Sequence, residues 1–223
     1  MLGLQTRANQ ILTRAGGYSG PYGFSLALRL DGSIVAWGDN QYGECNVPSG
    51  NDYMQISAGG MHSLALRLDG SLVAWGYNKK GQCNVPSGTD FVAIAAGAAH
   101  NIALRRDGSL IGWGLNDYGQ GTAPSDNNYS KIAAGGHHNL VLKKDGTLFA
   151  WGYCYVGQCD VPQGNNFNSI AAGEYHSLVI APYCLWNIPG DVNGDCQVDY
   201  VDFAIMASHW LECKRDSPEA CWQ

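Results

Sequence analysis

The chain has 223 residues, of which 45% are hydrophobic, 14% are charged and 30 are glycine. This length accommodates one large all-β domain, or a medium-sized domain followed by a small module. The apolar content excludes intrinsic disorder, and the many glycines indicate a turn-rich globular chain rather than a helical bundle.

The formal net charge of −6 is concentrated towards the C-terminus. Residues 1–184 contain 11 Lys and Arg against 12 Asp and Glu, whereas residues 185–223 contain 2 against 7. Residues 1–184 are nearly neutral and contain no run of Lys or Arg, so they offer no basic patch to a phosphate backbone. We therefore expect no nucleic-acid partner. No stretch approaches the ~20 apolar residues that a membrane span requires, so we expect no membrane span in this sequence.

Eight cysteines suit an oxidising compartment better than the cytosol and predict a secreted or cell-surface protein. Residues 1–14 lack the apolar segment of a secretory signal, so we expect that the N-terminus of a longer protein is missing. The cysteines outside the repeat pattern described next are the better candidates for disulfides, namely Cys154, Cys184, Cys196, Cys213 and Cys221.

A repeat of 38 residues organises most of the chain. Trp-Gly pairs recur with this period, and Asp-Gly pairs, loop glycines and prolines keep the same register. Residues 25–33 recur letter for letter at 63–71. The result is four complete units and the start of a fifth, with the Trp-Gly pairs beginning at Trp37, Trp75, Trp113 and Trp151.

Each unit has the pattern of short strands. In the third unit, residues 91–96 and 101–105 are apolar runs, and Asp107-Gly108 turns the chain into residues 109–113. This pattern predicts successive antiparallel strands with a tight hairpin. An all-strand repeat of this size matches one propeller blade. The predicted fold class is therefore all-β, a β-propeller-type array of four 38-residue units plus a partial fifth.

The unit A-G-G-x-H-S-L-A-L-x-x-D-G-S-x-x-A-W-G-x-N-x-x-G-Q-C-x-V-P resembles the repeat of the regulator of chromosome condensation family, over about residues 15–181. The resemblance implies a propeller, whose usual ring in that family has seven blades. Three positions depart from the pattern: Phe24 stands where other units have His, Gly121 replaces Cys, and Cys154 replaces Asn. Four units and a fraction leave three alternatives, which are a four- or five-bladed ring, part of a longer protein, or a ring completed by two chains.

Histidines recur in phase with the repeat, at His62, His100, His138 and His176. A metal site is the alternative, but zinc needs about four ligands within ~2.1 Å of one point, whereas a propeller spreads equivalent residues around its axis. We expect each His to hold the backbone of its own blade through hydrogen bonds.

The remaining repeat residues predict structure rather than catalysis. The repeat tryptophans lie in apolar strands and are expected in the core. Cys45, Cys83 and Cys159 occupy equivalent places and are expected to be buried and structural. Ser63 and Ser177 each follow a histidine, but neighbouring strand residues point to opposite faces and cannot form a nucleophile and base pair. No common catalytic motif occurs, and we predict no enzyme.

The C-terminal region carries a different pattern. Residues 190–211 resemble one loop-helix segment of a dockerin, with an amphipathic run over residues 200–211. Oxygen-bearing side chains occupy positions 1, 3, 5, 7, 9 and 12 of a 12-residue calcium loop, namely Asp191, Asn193, Asp195, Gln197, Asp199 and Asp202. Cys196 stands where the usual loop has Gly. We predict that these residues bind Ca²⁺; a solvated acidic linker is the alternative.

A complete dockerin has two such segments and binds a cohesin, and residues 212–223 supply no second one. We therefore expect an unknown protein partner or an anchoring role, with a cohesin-like partner as the alternative.

These patterns divide the chain into a remnant of a preceding blade or linker (1–14), a repeat domain (15–182), a linker (183–189), a dockerin-like segment (190–211) and a Cys-containing tail (212–223). A secreted bacterial inhibitor of β-lactamase is built from the same repeat type, which implies that the scaffold can capture proteins. We expect a secreted, non-enzymatic binding or scaffold protein that uses its propeller loops. The alternative is the non-catalytic C-terminal part of a secreted, carbohydrate-active enzyme.

Overall fold

A computed structural model of the chain describes residues 11–14 and 23–181. These residues form β1 (Ile11–Arg14), β2 (Phe24–Leu28), β3 (Ile34–Gly38), β4 (Tyr53–Ala58), β5 (His62–Arg67), β6 (Leu72–Gly76), β7 (Phe91–Ala96), β8 (His100–Arg105), β9 (Leu110–Gly114), β10 (Tyr129–Ala134), β11 (His138–Lys143), β12 (Leu148–Gly152), β13 (Ser169–Ala172) and β14 (Ser177–Ile180). Within these ranges, no helix is long and apolar enough to cross a membrane.

The chain separates into two compact units, Met1–Val179 and Ile180–Gln223. The first unit contains the sheets apart from Ile180, the last residue of β14, and only residues 180 and 181 of the second unit are described. The predicted calcium loop and helix, residues 190–211, therefore lie outside the described residues, as do the linker and the tail that flank them.

The described strands pair into small antiparallel sheets in the order β1-β2-β3, β4-β5-β6, β7-β8-β9, β10-β11-β12 and β13-β14. The register repeats with the sequence period, because Ser63 faces Trp75 in the second sheet and Asn101 faces Trp113 in the third. This arrangement confirms the predicted all-β array of repeated strands.

The Asp-Gly pairs close the same hairpin in each repeat. In the second repeat, the Asp69 carboxylate accepts hydrogen bonds from the Ser71 backbone amide at 2.9 Å and from its hydroxyl at 2.7 Å. Both hydrogen bonds lower the pKa of Asp69, and the bond from the Ser71 hydroxyl has the larger effect. Gly70 has a φ of 85°, which side-chain-bearing residues rarely adopt. Backbone conformation therefore explains this acidic residue, as the sequence predicts.

The hydrophobic core lies between neighbouring sheets. Leu64 and Leu66 of β5 pack with Phe91 and Ile94 of β7. Equivalent clusters join the first sheet to the second and the third to the fourth. Each sheet thus buries its apolar face only against an adjacent repeat, and the stability of the array comes from stacking.

The repeat tryptophans differ in burial. Trp75 is 8% exposed, Trp113 and Trp151 are half-buried, and Trp37 is 48% exposed. The expectation that the repeat tryptophans lie in the core is correct for Trp75; Trp113 and Trp151 pack partly buried against their clusters, and for Trp37 the expectation is wrong. The Trp75 indole donates a 2.7 Å hydrogen bond to the Glu44 carbonyl in the preceding repeat. The equivalent position for Trp37 is residue 6, which lies outside the described residues.

Candidate functional site

The repeat histidines connect one sheet to the next. His62 and His100 are fully buried. The Nε2 atom of His62 lies 2.8 Å from Asn101 Oδ1, and that of His100 lies 3.0 Å from Asn139 Oδ1. An amide oxygen only accepts hydrogen bonds, so Nε2 carries the proton and donates it. These bonds join neighbouring repeats, whereas the sequence predicted bonds to the backbone of the histidine's own blade.

The same connection continues into the loop between the two sheets. Asn101 Nδ2 donates to the Gln82 carbonyl at 2.9 Å, and Trp113 Nε1 donates to the same oxygen at 3.0 Å. The buried side chain of Gln82 accepts a 2.9 Å bond from the Lys80 amide, which fixes the loop. We call this chain of hydrogen bonds from His62 through Asn101 to Gln82, with its equivalents in other repeats, the inter-repeat bridge.

Each buried histidine also packs on the glycine three residues before it. A Cβ atom at Gly59 would collide with the His62 ring, and one at Gly97 would collide with the ring of His100. This close approach explains why the repeat has glycine at that position.

The structure does not gather the repeat histidines into a metal site. Within the described ranges, no group of three or more His, Cys, Asp or Glu side chains could hold a metal ion. The predicted calcium ligands lie outside those ranges, and their assignment remains a prediction: Asp191, Asn193, Asp195, Gln197, Asp199 and Asp202.

At the end of the described array, a serine contacts the repeat histidine of the preceding repeat. His138 Nε2 lies 3.1 Å from Ser177 Oγ, and that hydroxyl donates its proton to the Gln158 carbonyl at 2.8 Å. Because the hydroxyl proton is directed at Gln158, Nε2 must donate to Ser177 and cannot act as a base towards it. The contact is another inter-repeat bridge, with serine in the place of asparagine.

We expect stability to fall in acid because of His138. Burial lowers the pKa of His138, and charge on His176 and His137 lowers it further. Above pH ~6.5 the side chain is neutral in both states; below it, the unfolded chain takes up a proton that the folded chain resists. The free energy of unfolding should thus decrease from pH 7.5 to pH 5. In urea titrations, His138→Gln should reduce this dependence, with His137, whose pKa is also lowered by burial, supplying part of what remains. His176→Gln should keep most of the dependence, and an unchanged slope in His138→Gln would contradict the assignment.

The free cysteines of the described repeats, Cys45 and Cys83, are only partly buried, where burial was predicted, and their thiols are bonded within the loops. The thiols of Cys45 and Cys83 donate to the carbonyls of Asp39 and Tyr77 at 3.1 and 3.3 Å. Burial raises the pKa of Cys83 to about 11, so that thiol stays protonated at neutral pH.

Cys159 differs from this expectation, because it forms a disulfide with Cys154. In the second repeat, Asn78 Oδ1 accepts a 2.8 Å bond from the Cys83 amide, and Asn78 Nδ2 donates to Asn84 at 2.9 Å. Cys154 stands at the position of that asparagine and Cys159 at the position of Cys83. The disulfide therefore closes covalently the loop that hydrogen bonds close elsewhere. It also confirms Cys154 as a disulfide partner, while the other predicted partners lie outside the described residues.

Replacing Cys154 should show this equivalence. In the oxidised protein, Cys154→Ser should lower the free energy of unfolding by about 2 kcal/mol, the value for so short a loop. Cys154→Asn should lose less, because asparagine restores two hydrogen bonds worth about 1 kcal/mol each. Urea denaturation measures both, with the reduced wild-type protein as the control for Cys154→Ser. Equal losses from the two variants would show that asparagine at this position does not form the two loop-closing hydrogen bonds.

The ends of the sheets form two rims. One end, which we call the histidine rim, contains the turns before the repeat histidines and the loops that follow the third strand of each sheet. The rings of Tyr118 and His137 are in contact there, with their centres 5.8 Å apart. The Asp-Gly hairpins lie at the opposite end, the hairpin rim. Large exposed side chains occur at both, with Tyr118, Tyr155, Val156 and Tyr175 on the histidine rim and Leu30 and Leu68 on the hairpin rim.

Solved structures resemble this array. The ectodomain of the Physcomitrella patens receptor kinase CR4 matches with 28% identity and a TM-score of 0.60, over 71% of this chain and 46% of that one. Yeast RCC1 (Prp20), solved bound to Kap60, matches with 26% identity and a TM-score of 0.58, over 71% and 52%. Human WBSCR16 matches with 20% identity and a TM-score of 0.62, over 80% and 60%. The chain spans about half the length of the first two.

The repeat itself is identified by a family profile. A comparison with curated proteins gives no match. The profile described as the regulator of chromosome condensation (RCC1) repeat matches four segments, residues 19–44, 55–82, 91–120 and 129–158. These segments make up half of the chain and coincide with the first four units of the 38-residue repeat. The chain therefore belongs to the regulator of chromosome condensation repeat family.

Proposed function

We propose that this chain is a secreted or cell-surface, non-enzymatic scaffold that binds a protein partner through the loops of its repeat array. Repeats of this family suggest a protein-interaction role. The observation that carries the proposal is the inter-repeat bridge, because it commits the buried His and Asn side chains, together with the backbone carbonyls of Gln82 and Gln120, to holding neighbouring sheets together. Recognition is left to the exposed loop residues, which a rigid scaffold positions.

Two further observations support parts of the proposal. Yeast RCC1 (Prp20) was solved bound to Kap60, so a protein that contains such repeats can have a protein partner. The disulfide between Cys154 and Cys159 supports an oxidising destination.

The C-terminal segment extends the proposal to anchoring. Residues 190–211 would bind Ca²⁺ through the oxygen ligands predicted from the sequence and serve as a dockerin-like anchoring module. The spacing of these side chains carries this part, because a merely solvating run has no reason to place oxygens at the positions of a calcium loop.

Photo-crosslinking tests protein binding directly. A photoreactive amino acid is placed at Tyr118 or Val156 on the histidine rim, and at Leu30 or Leu68 on the hairpin rim as matched exposed sites. The full chain is then incubated with proteins secreted by the producing cells. We expect a protein that crosslinks saturably at one rim and is competed by unlabelled chain. Crosslinks that do not saturate, or that occur equally at all four sites, would contradict a specific scaffold.

A further inference from the structure

Four tyrosine rings from neighbouring repeats gather on the histidine rim, and we call them the tyrosine cluster. The rings of Tyr118 and Tyr153 are 4.9 Å apart, and those of Tyr153 and Tyr155 are 5.1 Å apart. Tyr175 lies on the same rim, in the turn between β13 and β14, where the neighbouring Glu174 carbonyl accepts a 3.1 Å hydrogen bond from the Gly136 amide of the preceding repeat. Much of this cluster is open to solvent, with exposed fractions of 46% for Tyr118, 82% for Tyr155 and 52% for Tyr175.

Carboxylates surround the tyrosine cluster. Glu174 directly precedes Tyr175 in the turn, and its negative charge raises the pKa of that tyrosine. The Glu174 side chain packs on Gly136, which precedes His137, and Asp117 precedes Tyr118, whose ring contacts that histidine. Burial lowers the pKa of His137, and the charges of Glu174 and Asp117 oppose this shift. Ring faces and carboxylates together form an environment that attracts a cation.

An equivalent pair of tyrosine rings earlier in the chain already contacts a cation. Tyr42 and Tyr77 lie two repeat lengths before Tyr118 and Tyr153, and their rings are also 4.9 Å apart in an edge-to-face arrangement. There the Lys79 ammonium lies over the Tyr77 ring, 5.9 Å from its centre.

In the fourth repeat, Tyr155 stands at the position of Lys79. The cluster therefore has an additional ring where the earlier pair has its own cation. Within residues 23–181, the lysines and arginines that contact rings do so at other sites.

We propose that the tyrosine cluster binds an arginine or lysine side chain of a protein partner. This inference rests on the proposed protein-binding function and names the chemistry that one part of the surface recognises. The aromatic rings supply cation–π attraction, and Glu174 and Asp117 supply opposite charge. A flat sugar ring is the less suitable ligand, because the tyrosine rings meet at 65° to 75° and form walls rather than one stacking platform.

A titration of the full chain with two short peptides tests the proposal. One peptide alternates Gly and Arg over eight residues, and the other has uncharged citrulline in place of each Arg. We expect saturable binding of the arginine peptide and at least 10-fold weaker binding of the citrulline peptide. The variant with both Tyr155→Ala and Tyr175→Ala should bind the arginine peptide about 10-fold more weakly, because two cation–π contacts are lost. Glu174→Gln should weaken binding severalfold.

The control variant is Tyr42→Ala, which alters the equivalent tyrosine pair that Lys79 already covers. It should change binding less than 2-fold. The altered tyrosines are exposed, and circular dichroism confirms folding of each variant. The ring substitutions leave the net charge unchanged. If the acidic C-terminal region alone attracted the peptide, binding would therefore be the same in the variants and in the wild type.

Unchanged affinity in the double variant, or equal affinity for both peptides, would overturn the proposal. Ring-dependent binding of a neutral oligosaccharide without binding of the arginine peptide would also overturn it. In either case, saturable crosslinking of a protein at the rims would leave the proposed scaffold function standing. Loss of that crosslinking would instead count against the scaffold function itself.

Discussion

Replacing Trp75 with alanine should lower the free energy of unfolding by about 3–5 kcal/mol, the usual cost of truncating a buried aromatic side chain. Trp75 is 8% exposed, packs with the first hydrophobic cluster and donates to the Glu44 carbonyl of the preceding repeat. The variant therefore loses apolar packing and leaves a carbonyl with one donor fewer. Urea denaturation followed by circular dichroism measures the change.

Trp37 provides the matched control, because it stands at the same repeat position and is 48% exposed. Trp37→Ala should cost well under half as much as Trp75→Ala. Equal losses would mean that the two tryptophans are buried to a similar extent, contrary to the described packing.

Replacing Asp195 with alanine should abolish calcium binding. Four aspartates within the 12-residue loop repel one another when the loop closes, and a divalent cation offsets this repulsion. Asp195 supplies a charged side chain near the start of the loop, whereas Gln197 at position 7 is expected to supply its backbone carbonyl. Gln197→Ala should therefore change binding very little.

Isothermal titration calorimetry of the full chain compares these two variants with the wild type. Calcium at ~100 times its Kd should also stabilise the C-terminal segment by roughly 2.7 kcal/mol and leave the repeat array nearly unchanged. An absence of calcium heat at millimolar concentration, or equal losses from Asp195→Ala and Gln197→Ala, would defeat the assignment.

The fold could be predicted largely from local sequence. The 38-residue period, the apolar runs and the Asp-Gly pairs are local signals, and the strands and hairpins follow from them. Asp69 and Gly70 illustrate this, because the acid and the positive φ of the glycine belong to the turn itself.

The inter-repeat bridge could not be predicted in the same way. His62 and Asn101 are 39 residues apart in sequence, so their hydrogen bond depends on how two sheets stack. A signal was present, since Asn or Ser follows each repeat histidine and Gln82 recurs at the same position in later repeats. The unequal burial of Trp37 and Trp75 could not be predicted either, because the two tryptophans occupy the same position of the repeat and have the same local sequence pattern.

The disulfide was partly predictable. Cys154 breaks the repeat pattern and therefore stands out, whereas Cys159 keeps the pattern and suggested the structural role of Cys83. The pairing becomes clear only when the loop is seen to bring those two positions together, as Asn78 and Cys83 are brought together in the second repeat.

The central claim is that hydrogen-bonded bridges couple neighbouring repeats into one scaffold that presents its loops. A double-mutant cycle with His62→Ala and Asn101→Ala tests it most directly, because the two buried side chains are in different sheets and 2.8 Å apart. Unfolding free energies of the wild type, both single variants and the double variant give the coupling energy. The bridge predicts a favourable coupling of about 1 kcal/mol or more. Losses that add to within about 0.3 kcal/mol would contradict it.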